Sequence, residues 1–133
     1  MVSHMLDTGI VGALLANNGL VRTRLNAVLG SVGISVIVVS EVRYGIAKSR
    51  SGVANGLAFD RLLLSGLSVA PFDVDDAATA GTLRATLERV GKTMGLYDIL
   101  IAAQALRIGA TLITKDSDFT RVNGLKLDDW TKP

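Results

Sequence analysis

The chain has 133 residues, 49% hydrophobic and 20% charged, which is enough apolar material for one domain with a packed core. It contains no cysteine and one histidine, so disulfides and thiolate metal sites are excluded and catalysis that depends on histidine is disfavoured. The formal net charge of +2 at pH 7 is too small to indicate a nucleic-acid-binding protein by itself.

No stretch of the sequence predicts a membrane segment. The longest uncharged apolar run, residues 26–40, is shorter than the roughly 20 residues that a membrane-spanning helix needs. Asp7 interrupts the first apolar stretch, so we expect no signal peptide. Together with the absence of cysteine, these features predict a cytoplasmic protein. Residues 1–4 have the character of a cloning remnant, which would make Met5 the natural start.

Strands and helices are predicted to alternate along the chain, from the spacing of apolar residues and the positions of glycine and proline. The predicted strands are residues 5–8, 34–39, 67–72, 110–114 and 124–127. The predicted helices are residues 10–16, 20–29, 41–46, 53–64, 73–90 and 97–106. Strands that alternate with helices indicate an α/β domain with a mainly parallel sheet and right-handed crossovers.

The boundary near residue 40 bears on the chemistry. Residues 34–39 are rich in β-branched side chains, which predicts a strand that is buried on both faces. Ser40 would then cap the following helix through its hydroxyl. Glu41 would consequently lie in the first turn of that helix.

Four acidic residues fall at the ends of predicted elements. Asp7 and Asp116 each follow a strand, and Glu41 and Asp98 each open a helix. Residues beyond the carboxyl ends of parallel strands converge on one crevice, and helix amino termini point toward the same region. Carboxylates that share a site repel one another unless a hard cation such as Mg²⁺ or Mn²⁺ binds them. The chemistry indicated is metal-assisted hydrolysis of a phosphodiester.

Each acid taken alone is weak support for a metal site, because an acid at a helix start is more often a cap. Asp98 has the strongest individual case, since it introduces an apolar helix and would need a charged partner if desolvated. Asp118 is a further candidate ligand two residues beyond Asp116. A solvated acid in a turn explains Asp118 equally well.

Short motifs in a fixed order resemble those of the VapC toxins, which are PIN-domain ribonucleases of type II toxin-antitoxin systems. The resemblance covers nearly the whole chain and rests on the order and spacing of the motifs rather than on any one of them. The motifs are Met5-Leu6-Asp7-Thr8, Ser40-Glu41-Val42 with Tyr44-Gly45, Gly95-Leu96-Tyr97-Asp98 with Ile101-Ala102-Ala103, Thr114-Lys115-Asp116-Ser117-Asp118-Phe119, and Arg121-Val122-Asn123-Gly124-Leu125 with Asp129-Trp130.

The resemblance implies a single PIN domain over residues 1–133, with three layers and a mainly parallel central sheet flanked by helices. It implies that Asp7, Glu41, Asp98 and Asp116 are catalytic, and that Asp7, Asp98 and Asp116 hold Mg²⁺ or Mn²⁺, with Asp118 as a further ligand. RNA would be cleaved endonucleolytically by a metal-bound water.

The same resemblance implies partners. Relatives are usually homodimers that a VapB-like antitoxin restrains, and the complex represses its own operon. Contact with DNA is then made through the antitoxin and not by the toxin directly.

One departure from the family pattern is Gly9, where the family commonly has Asn after Asp-Thr. Glycine has no side chain to orient a water or a ligand. The alternative function is therefore a catalytically weakened PIN domain that acts mainly as an antitoxin-binding partner in an operon-repressing complex. A receiver-like signalling domain is disfavoured, because Asp7 has no acidic neighbour.

Several residues are candidates for supporting roles around the acids. The hydroxyls of Thr8, Ser40 and Thr114 are candidates for hydrogen bonds that orient the carboxylates, although capping of the local backbone explains these hydroxyls more simply. Arg84 and Arg43 are candidates for contact with substrate or antitoxin.

The two arginines also have plain structural explanations. Arg84 is placed to pair with Glu88 one helical turn later. Arg43 fits a solvated helix face.

Overall fold

Five short parallel strands form the centre of the computed structural model, which describes residues 1–133. In chain order they are β1 His4–Leu6, β2 Val32–Ser35, β3 Ser68–Ala70, β4 Thr111–Ile113 and β5 Leu127–Asp128. Their order across the sheet is β3-β2-β1-β4-β5, and every neighbouring pair is parallel. All five carboxyl ends therefore lie at one edge of the sheet, and the predicted α/β fold is confirmed.

Six α-helices flank this sheet, and two 3-10 helices lie at Leu29–Ser31 and Ser117–Arg121. The α-helices are α1 Thr8–Leu15, α2 Gly19–Val28, α3 Val36–Lys48, α4 Gly52–Leu63, α5 Val74–Arg89 and α6 Leu96–Ile108. None of them has the length and apolar character that crossing a membrane requires.

The core is centred on the strands and on α6. Leu6, Ile34 and Leu112 from three neighbouring strands are fully buried, and they share one cluster with Ile101 of α6. Fully burying a side chain of this kind contributes about 1.5–3 kcal/mol. Burial of α6 on several sides explains its nearly continuous apolar sequence. The helix ends at Gly109, whose φ of 72° is the left-handed conformation that glycine adopts without strain.

An ion pair between two distant segments fixes the start of α5. Asp73 and Asp76 form a capping box, in which each side chain accepts a hydrogen bond from the backbone N–H of the other. Asp76 is fully buried, and Nε of Arg107 in α6 donates to its Oδ1 at 2.5 Å. The local sequence predicts the acidic start of this helix. It does not predict that Arg107, thirty-one residues from Asp76, is the partner, because that contact depends on the tertiary fold.

The predicted strand over residues 34–39 and the predicted capping role of Ser40 are wrong. Strand β2 ends at Ser35, whose side chain accepts from the N–H of Ile37 at 3.1 Å and caps α3. The β-branched run after Ser35 is helical because Val38 and Val42, one turn apart, bury a continuous face in the core. Glu41 therefore lies in the second turn of α3 and not in the first.

Candidate active site

Five carboxylates from separate parts of the chain lie close together at the carboxyl edge of the sheet. We call them the acidic cluster, and its members are Asp7, Glu41, Asp98, Asp116 and Asp118. Asp98 is the third residue of α6. Burial, followed by the charges of Asp7, Asp116, Glu41 and Asp118, raises the pKa of Asp98 to about 6. The structure thus brings together the acids that the sequence placed at element ends.

Asp7 is the most enclosed member of the acidic cluster. It directly follows β1 and caps α1, because the backbone N–H of Thr8 donates to its Oδ1 at 2.8 Å. The hydroxyl of Thr114 donates to its Oδ2 at 2.7 Å. Only 8% of Asp7 is exposed, and this burial raises its pKa, although the two hydrogen bonds act in the opposite direction. Both oxygens are therefore fixed in orientation while each keeps a free lone pair.

Thr114 links two members of the acidic cluster. Its hydroxyl donates to Asp7 and accepts from the backbone N–H of Asp116 at 3.0 Å. Asp116 in turn accepts from the backbone N–H of Asp118 at 2.9 Å and caps the second 3-10 helix. One buried hydroxyl thus connects the acids that follow β1 and β4.

Thr8 and Ser40 differ in their relation to the acidic cluster. The hydroxyl of Thr8 donates to Oε1 of Glu41 at 2.8 Å, which joins the start of α1 to α3. Ser40 is exposed, and none of the side-chain hydrogen bonds of the acids involves it. The buried hydroxyl at this strand end is that of Ser35, because α3 begins one turn earlier than predicted.

The two predicted arginines have acidic partners outside the cluster. Arg43 pairs with Asp60 at 2.5 Å and lies over the ring of Phe59. Arg84 pairs with Glu88 at 3.6 Å, as the spacing of one helical turn indicates. A role for either arginine in binding substrate or antitoxin stays a prediction.

Arg121 pairs with Asp118 at 3.5 Å and was not a candidate. It lies next to the acidic cluster but is neutralised there by Asp118. Its Nη1 also donates to the backbone oxygen of Thr93 at 2.8 Å. The sequence could have predicted this ion pair, since Asp118 and Arg121 are three residues apart in a short polar segment.

Lys115 is a second basic residue that sequence reasoning passed over. It stands between Thr114 and Asp116, and its side chain crosses Gly9 at the start of α1. The departure from the family pattern at Gly9 is therefore in contact with the loop that carries Asp116. No local pattern connects residues this far apart in the chain.

The donor chemistry of the acidic cluster fits a hard divalent cation. Its ligand atoms are all carboxylate oxygens, which Mg²⁺ and Mn²⁺ prefer. A cation would also relieve the repulsion that adds to the effect of burial in raising the pKa of Asp98. The side chains do not form a closed cage, since no three acidic or histidine side chains lie close enough together to hold an ion. An ion at this site would therefore be held by one or two carboxylates together with water, which is how Mg²⁺ is commonly bound.

Comparison with known proteins agrees with this fold. The PIN domain profile matches residues 4–125. The tRNA(fMet)-specific endonuclease VapC of Shigella flexneri is 35% identical over 133 residues, which cover 98% of this chain and 100% of the relative. Ribonuclease VapC2 of Haemophilus influenzae is 34% identical over 132 residues, which cover 98% and 99%.

A solved structure of similar shape is the crystal structure of VapBC2 from Rickettsia felis bound to a DNA fragment from their promoter. The match has a TM-score of 0.89 and 32% identity, and it covers 98% of this chain and 99% of that chain. Similarity of this extent leaves no large segment of either chain unmatched. With its parallel sheet, its acidic cluster and these full-length relatives, the chain belongs to the PIN-domain family and, within it, to the VapC group.

Proposed function

We propose that this chain is a metal-dependent endoribonuclease and the toxin of a toxin-antitoxin pair. One observation carries the proposal: Asp98 is partly buried beside carboxylates that follow β1, lie on α3 and follow β4, and its burial together with their charges raises its pKa to about 6. Perturbed acids of this kind cluster at catalytic sites. The names of the relatives, which include an endonuclease and a ribonuclease, support RNA as the substrate.

Asp7, Asp98 and Asp116 would hold Mg²⁺ or Mn²⁺, with Asp118 as a further ligand. A bound divalent ion of this kind lowers the pKa of a water and stabilises the charge that grows on the phosphate during hydrolysis. Thr114 keeps Asp7 and Asp116 in fixed relation through its two hydrogen bonds. Oδ1 of Asp118 pairs with Arg121 at 3.5 Å, so its Oδ2 is the atom available as a ligand.

Glu41 is assigned a separate role in this proposal. Its Oε1 accepts a hydrogen bond from the hydroxyl of Thr8, and its Oε2 makes no hydrogen bond within the chain. Glu41 can therefore accept a proton from the attacking water, provided that the water lies within hydrogen-bonding distance of Oε2. Thr8 is then a positioning residue, because it holds the carboxylate and does not touch the substrate.

The partner we infer is a VapB-like antitoxin. The solved relatives include VapBC complexes bound to DNA, and DNA contact by this chain would likewise be made through the antitoxin. We also infer a homodimer and action in the cytoplasm, where cellular RNA is available to a nuclease.

A second candidate function is antitoxin binding without efficient catalysis. Gly9 favours it, because this position offers no polar side chain to the crevice. The two functions differ in metal binding and hydrolysis, and not in complex formation with an antitoxin.

The test is cleavage of an initiator transfer RNA transcript by the purified chain, with Mg²⁺, with Mn²⁺ and with a chelator. We expect internal cleavage that needs the cation and that is lost in Asp98→Asn, while circular dichroism shows a retained fold. Asp75→Asn is the matched control, because Asp75 is an exposed acid on α5 outside the acidic cluster. Equal cleavage by Asp98→Asn and the wild type would reject the proposal. Antitoxin binding with neither Mn²⁺ binding nor cleavage would select the second candidate.

A further inference from the structure

The side chain of Lys115 lies over Gly9 at the rim of the acidic cluster. A Cβ atom built on Gly9 would lie 3.3 Å from Cε of Lys115, which is closer than ordinary van der Waals contact. Gly9 is in the first turn of α1, and its φ is not in the left-handed region, so the backbone does not require glycine. What glycine provides here is room for the Lys115 side chain.

Lys115 carries a charge that no carboxylate neutralises at close range. The five ion pairs of the structure involve Arg43, Arg84, Arg107 and Arg121, and none involves Lys115. Lys115 is exposed, yet its neighbours Thr114 and Asp116 are both tied to the site by hydrogen bonds. Its backbone position is therefore fixed relative to the acidic cluster while its ammonium group stays available.

Open space adjoins Lys115. A groove of about 310 Å³ runs beside it, and Thr114, Ser117 and Thr120 are among the residues that line it. Asp128 and Asp129 also line it. Hydrogen bonds from Thr131 chiefly hold the pKa of Asp129 below its usual range, and Lys132 and Lys115 add to the effect. The ammonium group of Lys115 thus lies near this groove without pairing to its acids.

A polyanionic substrate needs such a cation. The phosphates of RNA are repelled by five clustered carboxylates, and lysine acts as a point charge for phosphate without reading the base. The arginines nearest in sequence to the acids are occupied, Arg43 by Asp60 and Arg121 by Asp118.

We propose that Lys115 is a substrate-binding residue, whose side chain uses the space above Gly9 to place its ammonium group on an RNA phosphate next to the scissile bond. This inference rests on the proposed nuclease function. It assigns Gly9 a purpose, because a Cβ at position 9 would push the end of the lysine away by a few tenths of an ångström, and a longer side chain would compete with it for the same space.

The experiment measures binding of a fluorescein-labelled initiator transfer RNA transcript by anisotropy over a range of salt concentrations. All variants are made in the Asp98→Asn background, so that the RNA is not cut. We expect Lys115→Ala to raise Kd about fivefold and to reduce the slope of log Kd against log salt by about one. Lys115→Arg should keep most of the affinity, because the charge is retained. The matched control is Lys126→Ala, an exposed lysine that precedes β5, away from the carboxyl ends of the strands.

A second pair of variants tests the link to Gly9. Gly9→Ala should weaken binding when Lys115 is present and should have no further effect in the Lys115→Ala protein. If Lys115→Ala binds RNA like Lys126→Ala, or if Gly9→Ala acts equally in both backgrounds, the assignment of Lys115 is overturned. If the chain without Asp98→Asn neither binds nor cuts the transcript, the proposed nuclease function has failed, and this inference fails with it.

Discussion

Thr114→Val is expected to destabilise the protein in a way that depends on pH. The substitution keeps the shape of a side chain that is 5% exposed, but it removes the donor to Asp7 and the acceptor for the N–H of Asp116. A hydrogen bond to a charged group contributes about 1.5–3 kcal/mol and a neutral one about 1 kcal/mol, and the added methyl group offsets part of the loss. We therefore expect a loss of about 2 kcal/mol at pH 7, which lowers Tm by about 8 °C for a domain of this size.

The pH dependence follows from the charge of Asp7. Burial raises its folded-state pKa, and the Thr114 hydrogen bond limits that rise by favouring the charged form. Removing the hydroxyl therefore raises this pKa further, and a carboxyl with a raised folded pKa costs stability only at pH values above its ordinary range. The loss should shrink toward about 1 kcal/mol as the pH falls to 4, because the raised pKa lets folded Asp7 take up its proton above the ordinary range of a carboxyl group, while the loss of the second hydrogen bond remains.

Urea unfolding at pH 7 and pH 4 measures both values, and Thr86→Val is the control. The hydroxyl of Thr86 is exposed and bonds only to the backbone oxygen of Thr82 in its own helix, so we expect a small loss that is the same at both pH values. A loss for Thr114→Val that is equal at both pH values would refute the assignment of its hydroxyl to ionised Asp7.

Two further substitutions test other electrostatic features. Asp98→Asn should raise stability by about 1 kcal/mol at pH 8 and leave it unchanged below pH 4, after allowance for screening of a partly exposed group, because burial and the neighbouring acids both disfavour ionised Asp98, whose pKa is about 6. Thermal melts at the two pH values check this, and a gain that persists in acid would count against it. Arg107→Met should lower the free energy of unfolding in urea by about 3 kcal/mol, because it leaves the fully buried Asp76 without its charged partner. Arg89→Met, at an exposed arginine without an ion pair, should lower it little, and equal losses for the two variants would contradict the importance of the Arg107–Asp76 pair.

The elements that the sequence predicted well are those with one dominant signal. Strands β1 and β4 are short apolar runs that end just before an acid or a polar turn, and α6 is apolar with Gly109 beyond its end. Such patterns are local, so they can be recognised without knowing the rest of the fold. The acids at the ends of these elements could then be brought together by the geometry of a parallel sheet alone.

The boundary between β2 and α3 could not be predicted by the same means. A run of Val and Ile favours a strand by intrinsic preference, and only packing in the folded core shows that Val38 and Val42 form a helical face. The assignment of the cap to Ser40 instead of Ser35 followed from this error. The length of the strand, and with it the turn that carries Glu41, is set by tertiary contacts.

Contacts between residues that are distant in the chain could also not be predicted from the sequence. Arg107 with Asp76, Thr8 with Glu41 and Lys115 over Gly9 each join residues about thirty or more positions apart. Residue type indicates that a buried acid needs a partner, but it does not say which residue supplies it. The candidate site could therefore be predicted as a set of acids, without the hydroxyls and cations that orient it.

The central claim is that Asp7, Asp98 and Asp116 share one divalent ion. Anomalous diffraction from a crystal grown with Mn²⁺ tests it most directly, because the manganese peak locates the ion independently of any assumed ligand. We predict a single strong peak among these three residues, about 2.2 Å from carboxylate oxygens of one or two of them and connected to the rest through bound water. The absence of a peak there at saturating Mn²⁺, or a peak bound by acids elsewhere on the surface, would contradict the account.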